Sequence, residues 1–213
     1  MRPGPRRSIS QADIVDAAFE ILEHKGMAAV SVRGVAGALG LTPTAMYTYF
    51  PSKNALLRAM VEQLLSTIDL AAASDPGVAW RDRVHALAAM LLERLAEHAG
   101  ALVLVTSGPL DGPHALGLNE ALIAGFLGEG MPHADAARAA LAVRAYVLGA
   151  AAIDAAERAG GDADGAVGAP AQALWTDATA FPLTAATVDV AADDDGFAWG
   201  LDRLLDGLGR RAA

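Results

Sequence analysis

The side chains best suited to chemistry in this 213-residue chain crowd into one short stretch, Ser31 to Lys53. It holds two cations, Arg33 and Lys53, five hydroxyls on Ser31, Thr42, Thr44, Thr48 and Ser52, two phenols on Tyr47 and Tyr49, and small methyls such as that of Ala45. A guanidinium fork matches O6 and N7 of guanine, and short hydroxyls and methyls read neighbouring base edges. A lysine beside a helix N-terminus suits a phosphate. The chemistry implied is non-covalent recognition of a nucleic-acid surface. Catalytic signals are missing by comparison. The five histidines (His24, His85, His98, His114 and His133) fall on separate segments, with no i, i+4 pair for a metal. No G-x-G-x-x-G, phosphate-binding P-loop or G-x-S-x-G elbow occurs. D-A-D-G at 162–165 lacks a calcium loop's remaining ligands, with Ala173 where its Glu belongs. No catalytic residue, metal or cofactor is therefore expected, and the chain does not read as an enzyme.

These groups need short, sharply bounded elements to hold them. Ser31 is a good N-cap, and Val32, Val35, Ala36 and Leu39 recur at helical spacing behind it. Gly40 supplies the left-handed residue that closes such a helix. Thr42 caps a second helix with Pro43 at its first position, Met46 and Phe50 point inward together, and Pro51 stops it. Helix, glycine turn and capped second helix form a helix-turn-helix, whose second helix lies in the major groove of DNA. Before it, Ser10 with Asp13 three residues on, and Ile9 with Ile14, open a supporting helix that ends at Gly26.

The run A-x-x-L-G-L-T-P-T-A-M-Y-T-Y-F-P-S-K-x-x-L-L closely resembles the DNA-binding domain of the tetracycline-repressor (TetR) family of bacterial transcription regulators. The likeness covers roughly residues 10 to 60, and Tyr47, Tyr49, Phe50 and Lys53 give it most of its specificity. F-A-W-G-L-D-R-L-L-D-G-L near the C-terminus looks like the last dimerisation helix of one subgroup. The resemblance implies an all-α protein with an N-terminal three-helix DNA-binding domain at 1–52, including a basic arm at 1–9. A larger ligand-binding and dimerisation domain follows at 53–213, joined by a fourth helix from about residue 52. It further implies a small-molecule inducer, of unknown identity, held among the later helices. Trp80, His85, Met90, His98, Asn119, Phe126, Tyr146 and Trp175 are the lining candidates, because apolar walls with a few polar groups suit such a pocket.

Composition agrees with this division. Hydrophobic residues make up 54% but aromatics only 5%, so the core must be closely packed Ala, Leu and Val, and helical. There is no cysteine. The basic N-terminus precedes an amphipathic helix rather than an apolar leader. The most apolar segment, Ala139 to Ala156, is broken by Arg144 and Asp154, so no membrane partner and a cytoplasmic location are expected. Net charge is −9, yet residues 1–58 hold seven basic against four acidic side chains, and the remainder nine against twenty-one. DNA affinity follows the local positive face rather than the whole-chain sum.

Downstream, a long helix is predicted from Ser52 to about Ala73, with the break at Ser74-Asp75-Pro76-Gly77. Four helices are predicted over 78–160, then a Gly/Ala/Asp-rich loop and a final helix. The Ala-rich and final helices form the expected homodimer interface, through Leu141, Leu148, Phe197, Leu201, Leu204, Leu205 and Leu208. An alternative leaves both as core helices of a monomer, but two-fold dimers reading half-sites about 34–36 Å apart suit a single short hairpin better. The function expected is a repressor released from a double-stranded DNA operator by a ligand. The alternatives are an activator or ligand-independent regulator of the same fold, and an all-helical enzyme or binding module that retains a helical hairpin.

Overall fold

A capping box starts the first helix. Ser10 Oγ accepts from the Asp13 N–H at 3.1 Å, and the Asp13 carboxylate accepts from the Ser10 N–H at 2.8 Å. Two of the free donors at the start of α1 (Gln11–Lys25) are thereby satisfied. The computed structural model describes residues 9–73, 75, 77–98, 100–161, 180–186 and 195–209, and every regular element among them is a helix. After α1 come α2 (Val32–Ala38), α3 (Pro43–Tyr49), α4 (Lys53–Leu65) and α5 (Leu70–Ala73). Then follow α6 (Trp80–Glu97), α7 (Ala101–Ser107), α8 (Pro113–Gly128), α9 (His133–Gly161), α10 (Pro182–Ala185) and α11 (Gly196–Gly209).

The fourth helix is shorter than the apolar spacing predicts. It stops at Leu65 rather than running to Ala73. Ser66 Oγ donates to the Gln63 carbonyl at 2.8 Å, and the Asp69 carboxylate accepts from the Ala71 N–H at 2.9 Å. Short polar side chains here give the backbone partners that compete with a continuous helix.

Contacts divide the chain into two compact units. The first joins Met1–Thr67 with Glu97–Gly117, and the second joins Ile68–Ala96 with Leu118–Ala213. In the first, Ile14, Val30, Val35, Met46, Leu56, Met60, Val61 and Leu104 are completely buried. Residues 97–117 belong to this unit through specific contacts with α1 and α4. His98 Nδ1 lies 2.6 Å from Glu23 Oε1, and its ring stacks on Phe19 with centroids 5.0 Å apart. Gly100 packs so closely on Leu22 that any Cβ would overlap that side chain. Asp16 accepts from Gln63 at 2.7 Å, tying α1 to α4 directly.

In the second unit, α6 buries Val84, Leu87, Ala88, Leu91 and Leu95, α8 buries Leu118, Leu122 and Phe126, and α11 buries Leu201 and Leu205. On the first turn of α8 Leu116 is exposed and Ala115 takes the inward position. Arg81 binds Asp206 at 2.6 Å, and His85 Nε2 lies 2.9 Å from Asp202, so α6 and α11 are laced by polar contacts. The Tyr146 hydroxyl donates to the Phe197 carbonyl at 2.9 Å, where Gly200 leaves room for it. By length and a mean hydropathy of 1.5, His133–Ala156 is long and apolar enough to cross a bilayer. Arg138, Arg144 and Asp154 punctuate it, however, and its buried Ala136, Ala139, Ala140, Val143, Val147 and Ala151 recur at helical spacing. That is the pattern of a helix packed on protein along one side.

The Gly100 contact gives a direct test of the first unit. Leu22 is only 2% exposed and has nowhere to swing, so Gly100→Ala should destabilise the protein by about 1–3 kcal/mol through overpacking. Urea unfolding should show a lower midpoint with an unchanged slope.

Candidate nucleic-acid interface

The turn between α2 and α3 is built by backbone chemistry. The Gly40 N–H donates to the Gly37 carbonyl at 3.3 Å and the Leu41 N–H to the Ala36 carbonyl at 2.8 Å. This is a Schellman closure, with Gly40 at φ +64°, a region costly for any residue bearing a Cβ. Ser31 Oγ accepts from the Gly34 N–H at 3.0 Å, and Thr42 Oγ1 from the Ala45 N–H at 3.2 Å, so both short helices are capped from within. Gly34 is needed for closeness rather than dihedral freedom: a Cβ there would lie 2.9 Å from the Ala29 carbonyl oxygen.

The two faces of this pair differ sharply. Val32, Val35, Ala36, Met46 and Phe50 are buried beneath it. Arg33, Thr42, Thr44, Tyr47, Thr48 and Lys53 are exposed, while Ser31, Ala45 and Tyr49 are half-buried. The hydroxyls are not equivalent. Thr48 Oγ1 already donates to the Ala45 carbonyl at 2.6 Å, which leaves its lone pairs to accept from outside. Ser31 and Thr42 each spend one lone pair on a cap and keep a hydroxyl hydrogen to donate. Arg33 and Lys53 meet no carboxylate among the described residues. Ser52 Oγ caps α4 by accepting from the Ala55 N–H at 3.1 Å, which sets Lys53 in the first turn of that helix. The Gln11 side chain donates to the Tyr49 carbonyl at 3.2 Å, pinning the end of α3 to the start of α1. A rigid, outward set of donors beside two uncompensated cations can bind a polyanion and discriminate base edges. The basic arm, apart from Ile9, lies outside the described residues.

The other candidate residues are more dispersed. Trp80 and Phe126 come together, with ring centroids 5.5 Å apart, and the Arg81 guanidinium lies 5.2 Å from the centroid of Trp80. His85 faces Asp202, and Met90 and Asn119 are half-buried in the same unit. His98 belongs to the first unit, held between Glu23 and Phe19, and does not join this group. Tyr146 lines a groove of about 490 Å³ with Ala145, Gly149, Ala150, Ile153, Asp154 and Phe197. Trp175 lies outside the described residues. Of the seven leucine and phenylalanine positions expected at a dimer face, Leu201 and Leu205 are fully enclosed by their own protomer. Leu141 is exposed, and Leu148, Phe197, Leu204 and Leu208 are half-buried. Trp199, which the leucine spacing passes over, is 68% exposed. Among the described residues no three His, Asp or Glu side chains gather to hold a metal.

Sequence reasoning missed the polar contacts between α4 and residues 111–115, formed by Arg58, Glu62, Asp111 and His114. The available signal was the one-turn spacing of Arg58 and Glu62, with a Gly-Pro pair opening a later helix.

Comparison with known proteins matches both parts of the chain. The profile described as bacterial regulatory proteins, tetR family, matches residues 14–60, and that described as tetracyclin repressor-like, C-terminal domain, matches residues 73–212. An HTH-type transcriptional regulator of Saccharopolyspora erythraea is 33% identical over 66% of this chain and 59% of its own length. The HTH-type transcriptional repressor DrrR1 of Streptomyces coeruleorubidus is 28% identical over 96% of this chain and 79% of its own. A solved structure of a possible TetR family transcriptional regulator from Streptomyces coelicolor superposes with a TM-score of 0.76 at 28% identity, covering 93% of this chain and 98% of that one. With profile matches along most of its length, the chain belongs to the tetracycline-repressor family of bacterial transcription regulators.

Proposed function

We propose that this protein is a cytoplasmic, non-enzymatic repressor that binds a near-palindromic operator as a homodimer and leaves it when a small ligand binds the second unit. One observation carries the reading: the capped α2–α3 pair has a sealed apolar underside and an outer face of hydroxyls and cations without acidic partners. Arg33 is assigned a bidentate contact to guanine. Thr44, Ala45, Tyr47, Thr48 and Tyr49 supply further base or phosphate contacts, Ser31 and Thr42 reach the backbone from their caps, and Lys53 anchors a phosphate. The similarity to a transcriptional repressor of Streptomyces coeruleorubidus supports the direction of regulation.

The proposed dimer face runs along α9 and α11. Leu141, Ile153 and Trp199 are exposed there, beside the half-buried Leu148, Phe197, Leu204 and Leu208 and the apolar groove around Tyr146. Alanines and glycines along α9 let a partner helix approach closely. The ligand is proposed to lie in the second unit near Trp80, His85, Met90, Asn119 and Phe126. Ligand and operator affinities then oppose each other by one coupling free energy.

Gel retardation with the protein's own upstream DNA tests the reading, and a reporter in a deletion strain gives the sign of regulation. Arg33→Ala should cost about 1–3 kcal/mol and relax selectivity at one base pair, whereas Lys53→Ala should weaken all operators alike and flatten the salt dependence. Equal losses on every operator sequence for Arg33→Ala would remove its specific role. Replacing both Leu141 and Ile153 by Glu should yield folded monomers by sedimentation, with operator affinity lost. Leu205→Ala should instead lower stability by about 2–5 kcal/mol, as for a core cavity.

A further inference from the structure

Arg58 and Glu62 stand one turn apart on α4 and grip the same short segment. Arg58 donates from Nε and Nη2 to the two oxygens of Asp111, each at 2.6 Å. Glu62 Oε2 accepts from the His114 backbone N–H at 2.8 Å, and Oε1 from that of Ala115 at 3.1 Å. The His114 ring adds a third contact, its Nδ1 lying 2.9 Å from Oε2.

These two backbone donors are the first that α8 has to satisfy. Its first residue is Pro113, which has no N–H, so the exposed donors of the helix begin at His114. A helix usually takes its cap from the residue just before it. Here that residue is Gly112, which has no side chain to offer. A Cβ at Gly112 would overlap the Glu62 carboxylate. The glycine makes way for an acid 52 residues distant from His114 in sequence to cap the helix from outside. The Glu62 side chain is only 16% exposed. Burial pushes its carboxyl up, but the two backbone donors and the His114 ring outweigh that and hold it below the usual carboxylate range. The cap is thus charged at neutral pH, and its contribution is lost only as pH falls through that lowered value.

α4 is the element through which this cap can act on DNA. Its first residue is Lys53 and it follows α3 directly. Its Gln63 holds Asp16 of α1, and Gln11 of α1 holds the last carbonyl of α3. Leu56 and Met60 are completely buried in the same core. α8 itself continues past Gly117 into the second unit. A shift of its first turn must therefore either break the charge-assisted bonds to Glu62 or carry α4 with it.

We propose that Glu62 is a positioning residue of the DNA-reading unit: by capping α8 it fixes α4, and with it the α2–α3 pair, in the register that fits the operator. This rests on the DNA-binding function proposed above. The experiment measures operator affinity, its salt dependence and backbone amide exchange in the full-length protein with Glu62→Ala and Glu62→Gln. Val84→Ala, buried in the second unit, is the control, and each variant is assayed equally far below its own unfolding midpoint. Glu62→Ala should raise the operator Kd about tenfold, the scale set by losing one cap. Exchange at the His114 and Ala115 amides should accelerate, and Glu62→Gln, which keeps one acceptor oxygen, should fall between. The salt slope should stay that of the wild type, because Glu62 touches no phosphate. Val84→Ala should bind as the wild type does. Unchanged affinity in a folded Glu62→Ala variant, an equal loss in Val84→Ala, or an altered salt slope would each overturn the positioning role. If the wild type binds no upstream fragment, the regulator reading itself fails, an outcome distinct from all of these.

Discussion

Seven residues are too few to hold a helix in water, and both helices of the reading pair have seven. That constraint organises the first unit. Each helix must draw its order from outside its own hydrogen-bond ladder, so each carries a side-chain cap, a defined stop and a sealed underside. Met46 shows how closely the seal is made: it is the buried residue of α3 and has no exposed surface. With folding energy supplied from beneath, the outer positions of α3 are released from packing. They are free to be Thr and Tyr, residues chosen for what they can meet.

The same constraint explains why the N-terminal helices do not make a unit by themselves. Three elements and the first part of a fourth offer a thin core, and residues 97–117 complete it. His98 and Gly100 close one end against α1, and Asp111 to Ala115 close the other against α4. The contacts at the two ends differ in kind. At α1 a ring stack and a backbone pressed on Leu22 accompany a single polar contact, His98 to Glu23; at α4 every contact named is polar and directional. A directional contact fixes relative orientation more tightly than an apolar one, since it weakens as its donor angle departs from linear.

What could be read from the sequence was what is encoded locally. The caps at Ser10, Ser31 and Thr42 and the stop at Gly40 each depend on a few adjacent residues, and all are present as expected. The exposed face of α3 follows from the same periodicity. Leucine spacing on α11 was a poorer guide, because an amphipathic stripe indicates which side is apolar but not what covers it. Leu201 and Leu205 turn out to serve their own protomer, and Trp199 stands outward. The Glu62 cap was illegible for a different reason. Its donor and acceptor are separated by 52 residues, and the one-turn spacing of Arg58 and Glu62 and the Gly-Pro pair, each visible locally, do not indicate that the two segments meet. The end of α4 at Leu65 was hidden by Ile68 and Leu70, which continue the apolar spacing while Ser66 and Asp69 divert the backbone.

The second unit solves the opposite problem. With few aromatics to fill space, it relies on small side chains and close approach, and α9 buries four alanines with Val143 and Val147 on one side. Its other side keeps Leu141 and Ile153 exposed. A soluble helix of this length normally balances such residues with charge. Here the exposed pair Asp135–Arg138 lies toward the start of α9, Arg144 and Asp154 are only half-exposed, and Tyr146 turns its hydroxyl back onto the Phe197 carbonyl. That hydrogen bond satisfies a polar group which would otherwise need water, and it leaves the surface around the groove apolar. A face so prepared gains most from contact with another apolar face. The proposed pairing of two copies along α9 and α11 would supply that contact while placing two reading pairs on one piece of DNA.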